Sequence, residues 1–116
     1  MTSNELKQRT KQFALRVIRM TNDLPKTMAA EVLGKQLLRS ATSVAANYRS
    51  ACRGRSKQEF IAKLGIVEEE SDESSFWLEM IEDAGIMSVK KLSALRAESE
   101  EITAIMVSSI RTARSR

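Results

Sequence analysis

Histidine is missing from this 116-residue sequence. Without it the chain lacks the commonest general base, the commonest transition-metal ligand and any Ser-His or Cys-His pair for nucleophilic catalysis. The carboxylate-bridged di-iron bundles are excluded as well, because they need a Glu-x-x-His motif on two helices. We therefore predict a protein that is not an enzyme and that has no catalytic residue, no metal site and no cofactor.

Cysteine is almost absent too, and the chain has no long apolar run. Cys52 is the one cysteine, so no intrachain disulfide forms and a reducing compartment is the default. We expect it to be a packing residue. The first five residues lack the apolar core of a signal peptide, and no segment approaches the roughly 18 apolar residues of a membrane span. These features predict a cytoplasmic protein with no membrane partner.

One proline and four glycines leave few positions at which regular structure would break. Hydrophobic residues make up 42% and charged residues 29% of the chain, a balance typical of globular proteins. Ala, Leu, Glu, Lys, Arg, Gln and Met dominate, and these residues favour helices. The sequence therefore predicts a single all-α domain spanning residues 1–116.

Four amphipathic segments follow one another, separated at Pro25, Gly54 and Gly85. They predict helices over residues 3–22, 27–53, 57–84 and 88–113. The first is capped by Thr2 with Glu5, or by Ser3 alone, and the third by a Ser56–Glu59 capping box. Gly54 suits the left-handed position that follows a helix end, and Gly85 closes the third helix.

Apolar and small residues recur in these segments at steps of three and four, which predicts one buried stripe on each helix. The predicted stripes are Leu6, Phe13, Val17, Met20 and Leu24; Ala30, Leu33, Leu37, Ser40, Val44, Asn47 and Ala51; Phe60, Leu64, Val67, Ser71, Ser74, Leu78 and Ile81; and Leu92, Leu95, Ser99, Ile102, Met106, Ser109 and Ala113. Short connections and heptad-like seams favour an antiparallel up-down-up-down four-helix bundle. The polar seam residues either form a hydrogen-bonded layer or point to solvent.

Charge is distributed unevenly along the chain. Residues 56–85 carry two basic residues against nine acidic ones, whereas the rest of the chain is net positive. The arginines that we place at a candidate nucleic-acid surface are Arg9, Arg16 and Arg19 on one face of the first helix, and Arg49, Arg53 and Arg55 at the end of the second. Such a surface would bind phosphates, but the same residues suit a solvated face or one paired with another subunit.

Trp77 lies beside the predicted seam of the third helix rather than on it. It shares a second stripe with Ile66, Glu70, Glu73 and Met80, which is either the edge of the core or a subunit interface. We favour the interface, because tryptophan is enriched at interfaces and an acidic, apolar face suits a basic partner. A metal site in the acidic run 68–73 is disfavoured without histidine or a glycine-bent loop.

Two stretches resemble a known protein family. Gln36-Leu37-x-Arg39-Ser40-Ala41-x-Ser43-Val44-x-x-Asn47 is the first, and the third-helix residues 60–70 and 76–79 form the second. Together they resemble the bacterial four-helix bundle proteins named after the 23S rRNA intervening sequence. One departure is Tyr48-Arg49-Ser50-Ala51, where many members have Ile-Ala-Glu-Gly, so no role of that Glu-Gly pair carries over.

This resemblance implies a compact bundle that associates with itself in a ring-like homopentamer, and it leaves the molecular function unassigned. A more distant resemblance is to the accessory bundle protein of diversity-generating retroelements, whose basic surface is thought to contact nucleic acid. We therefore predict a self-assembling structural or interaction protein. The alternative is a nucleic-acid-binding accessory protein that binds RNA or DNA weakly and without sequence specificity.

Overall fold

The computed structural model describes residues 1–116 and contains four helices with no strand. The helices are α1 (Ser3–Thr21), α2 (Met28–Ala51), α3 (Lys57–Asp83) and α4 (Val89–Arg114), so each end lies within two residues of its predicted position. Each helix packs on the next in the chain, and α1 also contacts α4, which gives a four-helix bundle of 47 × 19 × 19 Å. No helix has both the length and the apolar character needed to cross a lipid bilayer.

The helix starts follow from side-chain caps. Thr2 and Glu5 form the predicted capping box, with reciprocal hydrogen bonds of 3.1 Å between each side chain and the other's backbone N–H. Thr27 caps α2. The Ser56 hydroxyl accepts a hydrogen bond of 3.0 Å from the Glu59 N–H, but the Glu59 side chain does not return it. The second predicted capping box is therefore only half formed.

Two glycines end helices in different ways. Gly85 closes α3 as predicted: it has a φ of 70°, and the N–H of Ile86 donates to the carbonyl of Ile81 in a Schellman motif. The prediction of a left-handed Gly54 was wrong, because Gly85 alone has a positive φ. Instead, a Cβ on Gly54 would lie 3.1 Å from the Ala51 carbonyl oxygen and 3.3 Å from the Phe60 nitrogen, so the close approach of the backbone favours glycine there.

The predicted stripes identify most of the core. Buried as predicted are Leu6, Phe13, Val17, Met20, Ala30, Leu37, Ser40, Val44, Ala51, Leu64, Val67, Ser71, Ser74, Leu78, Ile81, Leu92, Leu95, Ser99, Ile102 and Met106. Predicted core residues that are only half-buried are Leu24, Leu33, Asn47, Phe60, Ser109 and Ala113. Buried residues outside the predicted stripes include Thr10, Ala14, Ala41, Tyr48 and Ile110. The additional buried residues follow from the width of a core-facing stripe, which exceeds a single row of side chains.

Buried hydroxyls join α2, α3 and α4. Ser40 and Ser74 oxygens lie 2.9 Å apart, the Ser71 hydroxyl donates to the Ser99 carbonyl at 2.8 Å, and Thr103 donates to Ser71 at 2.9 Å. No buried side-chain nitrogen or oxygen lacks a partner. The predicted hydrogen-bonded layer is thus confirmed at four serines. Because these side chains are small, α3 approaches both α2 and α4 closely.

Candidate functional site

The family-motif arginine joins α2 to α3. Arg39 contacts the carboxylates of Glu70 at 3.1 Å and Glu73 at 2.5 Å, and the Trp77 indole N–H donates to Glu73 at 3.1 Å. The hydrogen bond from Arg39, with a smaller contribution from Trp77, lowers the pKa of Glu73. The hydrogen bond to Glu73, with the charge of Glu70, raises the pKa of Arg39. Arg39 therefore binds carboxylates of its own chain.

The other motif residues also lie along α2, and three of them have internal partners. Ser40 is buried against Ser74 on α3. The Asn47 amide donates to the backbone oxygen and the hydroxyl of Ser43, at 2.9 and 2.8 Å, which holds Asn47 at the edge of the core. Gln36 is half-buried. These contacts make the motif a structural element that fixes the side-chain arrangement along α2 and its contact with α3.

The residues predicted as a subunit interface are of two kinds: some form ion pairs within the chain, and others are apolar and partly exposed. Glu70 and Glu73 are engaged by Arg39, so they do not offer free charge to a basic partner, contrary to the expectation from sequence. Ile66 and Met80 are each 38% exposed, and Trp77 is half-buried. The interface itself stays a prediction.

Phe76 is an exposed aromatic residue that the sequence did not indicate as part of an interface. It is 49% exposed, and its ring packs edge-on against Trp77 with centroids 4.9 Å apart. Trp77 therefore supports Phe76 from the side of the core. The signal for this arrangement was the helical spacing, which places Phe76 opposite the buried stripe of α3.

The outer side of α3 forms an acidic face. Its members recur at helical spacing and are exposed, and its four carboxylates form no ion pair within the chain. The acidic face consists of Glu69, Asp72, Phe76, Glu79, Met80 and Asp83. It combines negative charge with two large apolar side chains.

The predicted arginine stripe of α1 is not one free surface. Arg9 pairs with Glu98 at 2.8 Å and with Glu101 at 2.9 Å on α4, and its side chain is 22% exposed. Hydrogen bonds to these two carboxylates raise the pKa of Arg9. Arg16 is half-buried and Arg19 is exposed, and neither forms an ion pair. Arg9 is therefore not the unpaired, outward residue that its helical spacing predicts, because this part of α1 faces the acidic residues of α4. A nucleic-acid contact at these arginines stays a prediction.

A basic groove runs instead between α1 and α2. It has a volume of about 530 Å³, and three cationic side chains line it: Lys7, Lys11 and Arg49. Small side chains, those of Ala14, Ala45 and Ala46, also line it. None of the three cations forms an ion pair within the chain. The groove is therefore lined by positive charge, and the small alanine side chains leave space between the cations.

Further cations collect where α2 and α4 end and where α3 begins. We call this the basic end, and its members are Arg53, Arg55, Lys57, Arg111 and Arg114. All five are exposed, and none forms an ion pair with a carboxylate. The Lys57 ammonium donates to the backbone carbonyl of Arg116 at 2.7 Å, and Glu68 lies beside Arg111 and Arg114.

Cys52 and Tyr48 lie at the same end of the bundle. Tyr48 is buried, and burial, followed by the proximity of Cys52, raises its pKa above the ordinary value. Cys52 is half-buried beside it, as a packing residue would be. No three side chains of His, Cys, Asp or Glu are grouped as metal ligands.

Comparison with known proteins agrees with the resemblance predicted from sequence. The family model described as 23S rRNA-intervening sequence protein matches residues 2–108. A similar crystal structure is that of a protein with unknown function from the S23 ribosomal protein family of Bacteroides thetaiotaomicron: it is 32% identical, has a TM-score of 0.88, and is aligned over 96% of this chain and 99% of that one. No curated protein matches. The chain thus belongs to the 23S rRNA-intervening sequence protein family.

Proposed function

We propose that this protein is a non-enzymatic interaction protein that assembles with copies of itself, the acidic face of one copy docking on the basic groove of the next. The observation that carries the proposal is the match between these two exposed surfaces. One presents four carboxylates and the other three cations, and neither set is neutralised by ion pairs within its own chain. Complementary charges of this kind orient partners and exclude wrong ones.

The shapes of the two surfaces support the same pairing. Phe76 projects from the acidic face, and the basic groove has alanine side chains between its cations. Burying a phenylalanine side chain contributes about 1.5–3 kcal/mol, whereas an exposed ion pair contributes about 0–1 kcal/mol. Phe76 would therefore supply most of the affinity, and the charges would set the orientation.

Because the two surfaces differ, the proposed contact is heterologous. The groove involves the first turns of α1, and the acidic face extends to the last turns of α3, near the opposite end of the 47 Å bundle. A heterologous contact repeats from copy to copy and closes into a ring when the rotation between copies permits. A ring of five is the number of copies implied by the family resemblance. Met80 would lie within the contact, and Trp77 and Ile66 would border it.

Mixing two variants tests this pairing. Lys7→Glu with Lys11→Glu disables the groove, and Phe76→Ser with Glu79→Ser disables the acidic face. Size-exclusion chromatography with light scattering should find wild-type protein above the dimer mass and each variant alone at 13.0 kDa. Mixed in equal amounts, the variants should form a two-chain complex, because one intact groove and one intact acidic face remain between them.

Matched controls alter the same chemistry elsewhere. Lys90→Glu with Lys91→Glu changes two exposed lysines of α4, and Val107→Ser removes an exposed apolar side chain from that helix. Both controls should assemble as wild type does. A monomeric wild-type protein would refute self-assembly, and variants that stay monomeric after mixing would refute the pairing of groove with acidic face.

A further inference from the structure

We infer that the basic end of the bundle binds the phosphate backbone of a nucleic-acid duplex, without reading its base sequence. This role is separate from self-assembly, which the proposed function assigns to the groove and the acidic face. It concerns Arg53 and Arg55 after α2, Lys57 at the start of α3, and Arg111 and Arg114 at the end of α4.

None of the five side chains forms an ion pair with an Asp or Glu carboxylate, although Glu68 lies beside Arg111 and Arg114 and Lys57 donates to the backbone oxygen of Arg116. The five side chains are exposed, and the carboxylates that neutralise Arg9, Arg39 and Arg96 lie elsewhere on the bundle. Four of the five are arginines, whose planar guanidinium groups match the geometry of phosphate oxygens. The end therefore offers several phosphate-binding groups on one surface about as wide as the bundle.

The width of the basic end suits contact with the phosphate backbone of a double helix. The bundle is 19 Å across, and duplex DNA carries one negative charge per about 1.7 Å of its axis, so the end spans roughly ten phosphate charges. The four arginines can then contact phosphates on the side of the duplex that faces them. Because the basic end is built from helix ends, it has no lateral helix face that could enter a groove of the duplex.

The aromatic residues argue for a duplex rather than a single strand. Single-strand binding proteins stack bases on exposed aromatic rings beside their cations. Near the basic end, Tyr48 is buried and Phe60 is half-buried. Phe76 is the ring that is well exposed, and it lies about 28 Å along α3 from Lys57 at 1.5 Å per residue. The basic end thus has the charge for phosphates and lacks a stacking surface.

The experiment compares two variants that lose the same charge. Arg53→Gln, Arg55→Gln, Arg111→Gln and Arg114→Gln remove four cations from the basic end. Arg19→Gln, Lys26→Gln, Lys90→Gln and Lys91→Gln remove four exposed cations from the opposite end. The measurement is fluorescence anisotropy of a labelled DNA duplex of about 20 base pairs, titrated at several salt concentrations from about 50 to 200 mM.

Wild-type protein and the opposite-end variant should bind the duplex and lose affinity steeply with salt. Four phosphate contacts correspond to a slope of about −3.6 in log K against log salt, or roughly a hundredfold loss over this range, and the basic-end variant should lose that dependence. Light scattering should show unchanged assembly for both variants, which separates this test from that of the proposed function.

Three results would overturn the inference. The first is no binding of the duplex by wild-type protein at about 50 mM salt, where phosphate contacts are strongest. The second is an equal loss of affinity in the two variants, which would mean that only net charge matters. The third is tighter binding of a single strand of the same length, which would mean that bases rather than a duplex backbone are bound.

Discussion

Arg9 on α1 donates two hydrogen bonds, each of 2.8 Å, to the carboxylate of Glu98 on α4. The two residues lie 89 positions apart in the chain, so this bidentate pair connects the first helix to the last. Glu101 adds a second carboxylate at 2.9 Å. The pair lies at the boundary where α1 meets α4, which is the sparsest of the four helix contacts.

Replacing Arg9 should therefore destabilise the protein. Arg9→Gln leaves the carboxylate of Glu98, which is 16% exposed, without its charged partner. We expect a loss of about 1–2 kcal/mol in the free energy of unfolding, because charge-assisted hydrogen bonds at partly buried sites contribute this much. Urea unfolding measures the loss, and Arg16→Gln, which breaks no ion pair, should change stability by less than about 0.5 kcal/mol. Equal losses would contradict a specific role for the Arg9–Glu98 pair.

The Arg39–Glu73 contact predicts that the stability of the folded protein depends on pH in the acidic range. Because folding lowers the pKa of Glu73 below its ordinary value of 4.5, this pair stabilises the folded state above pH 4.5 and loses its effect as the pH falls through the lowered pKa. Arg39→Gln should cost less than about 1 kcal/mol at neutral pH, since Arg39 is 51% exposed, and should cost progressively less below pH 4.5.

Urea unfolding of wild type and Arg39→Gln over a series of pH values from neutral to acidic measures this effect. Arg53→Gln serves as the control, because Arg53 is exposed and forms no ion pair. A stability difference between wild type and Arg39→Gln that stays constant down to acidic pH would assign the effect to packing rather than to the ionised carboxylate.

Two glycine-to-alanine substitutions should act in opposite directions. Gly65 lies inside α3, and a Cβ there would have no atom within 4 Å, so Gly65→Ala should stabilise the protein by about 0.5–1 kcal/mol. Gly85 has a φ of 70°, so Gly85→Ala should destabilise it by about 1–2 kcal/mol. Thermal unfolding measures both. A Gly85→Ala variant as stable as wild type would show that the α3 end relaxes without cost.

The Ser40–Ser74 contact should tolerate loss of a hydroxyl but not added volume. Ser74→Ala leaves Ser40 with the Leu37 carbonyl as a partner at 3.1 Å, so the loss should stay below about 1 kcal/mol. Ser74→Leu places a large side chain where two helices approach closely and should cost about 1–3 kcal/mol or more. Urea unfolding of both variants tests the comparison. Similar stabilities would mean that the α2–α3 spacing is adjustable.

Local sequence signals are sufficient to predict the helices and most of the core. Caps such as Thr2 with Glu5 act within one turn, and the glycine of a Schellman motif acts within a few residues, so their effects are encoded beside the residues they control. Helical spacing likewise gives the direction of each side chain about its own axis. The prediction for Gly54 was wrong because tight backbone packing and a positive φ both favour glycine.

The surfaces depend on how helices are placed relative to one another, and this is not encoded locally. Arg9 has the spacing of an outward residue, but the rotation of α1 against α4 brings it to Glu98. Lys7 and Lys11 form a groove with Arg49 only because α1 and α2 align antiparallel. The sequence indicates Trp77 as the interface aromatic, whereas its contact with Phe76 leaves Phe76 the more exposed ring. Each outcome requires the tertiary arrangement.

The close contacts of α2 with α3 and of α3 with α4 join helices that are adjacent in the chain, whereas contact between α1 and α4 closes a loop of nearly the whole chain. Closing that loop has the largest entropic cost of the four helix contacts, and the sparse α1–α4 boundary offers the fewest interactions to offset it. We therefore expect the amides of α1 to exchange with solvent through local openings that leave α2, α3 and α4 folded, and hydrogen exchange resolved by residue would detect this order. The bundle would then open at one helix, the helix that supplies Lys7 and Lys11 to the basic groove.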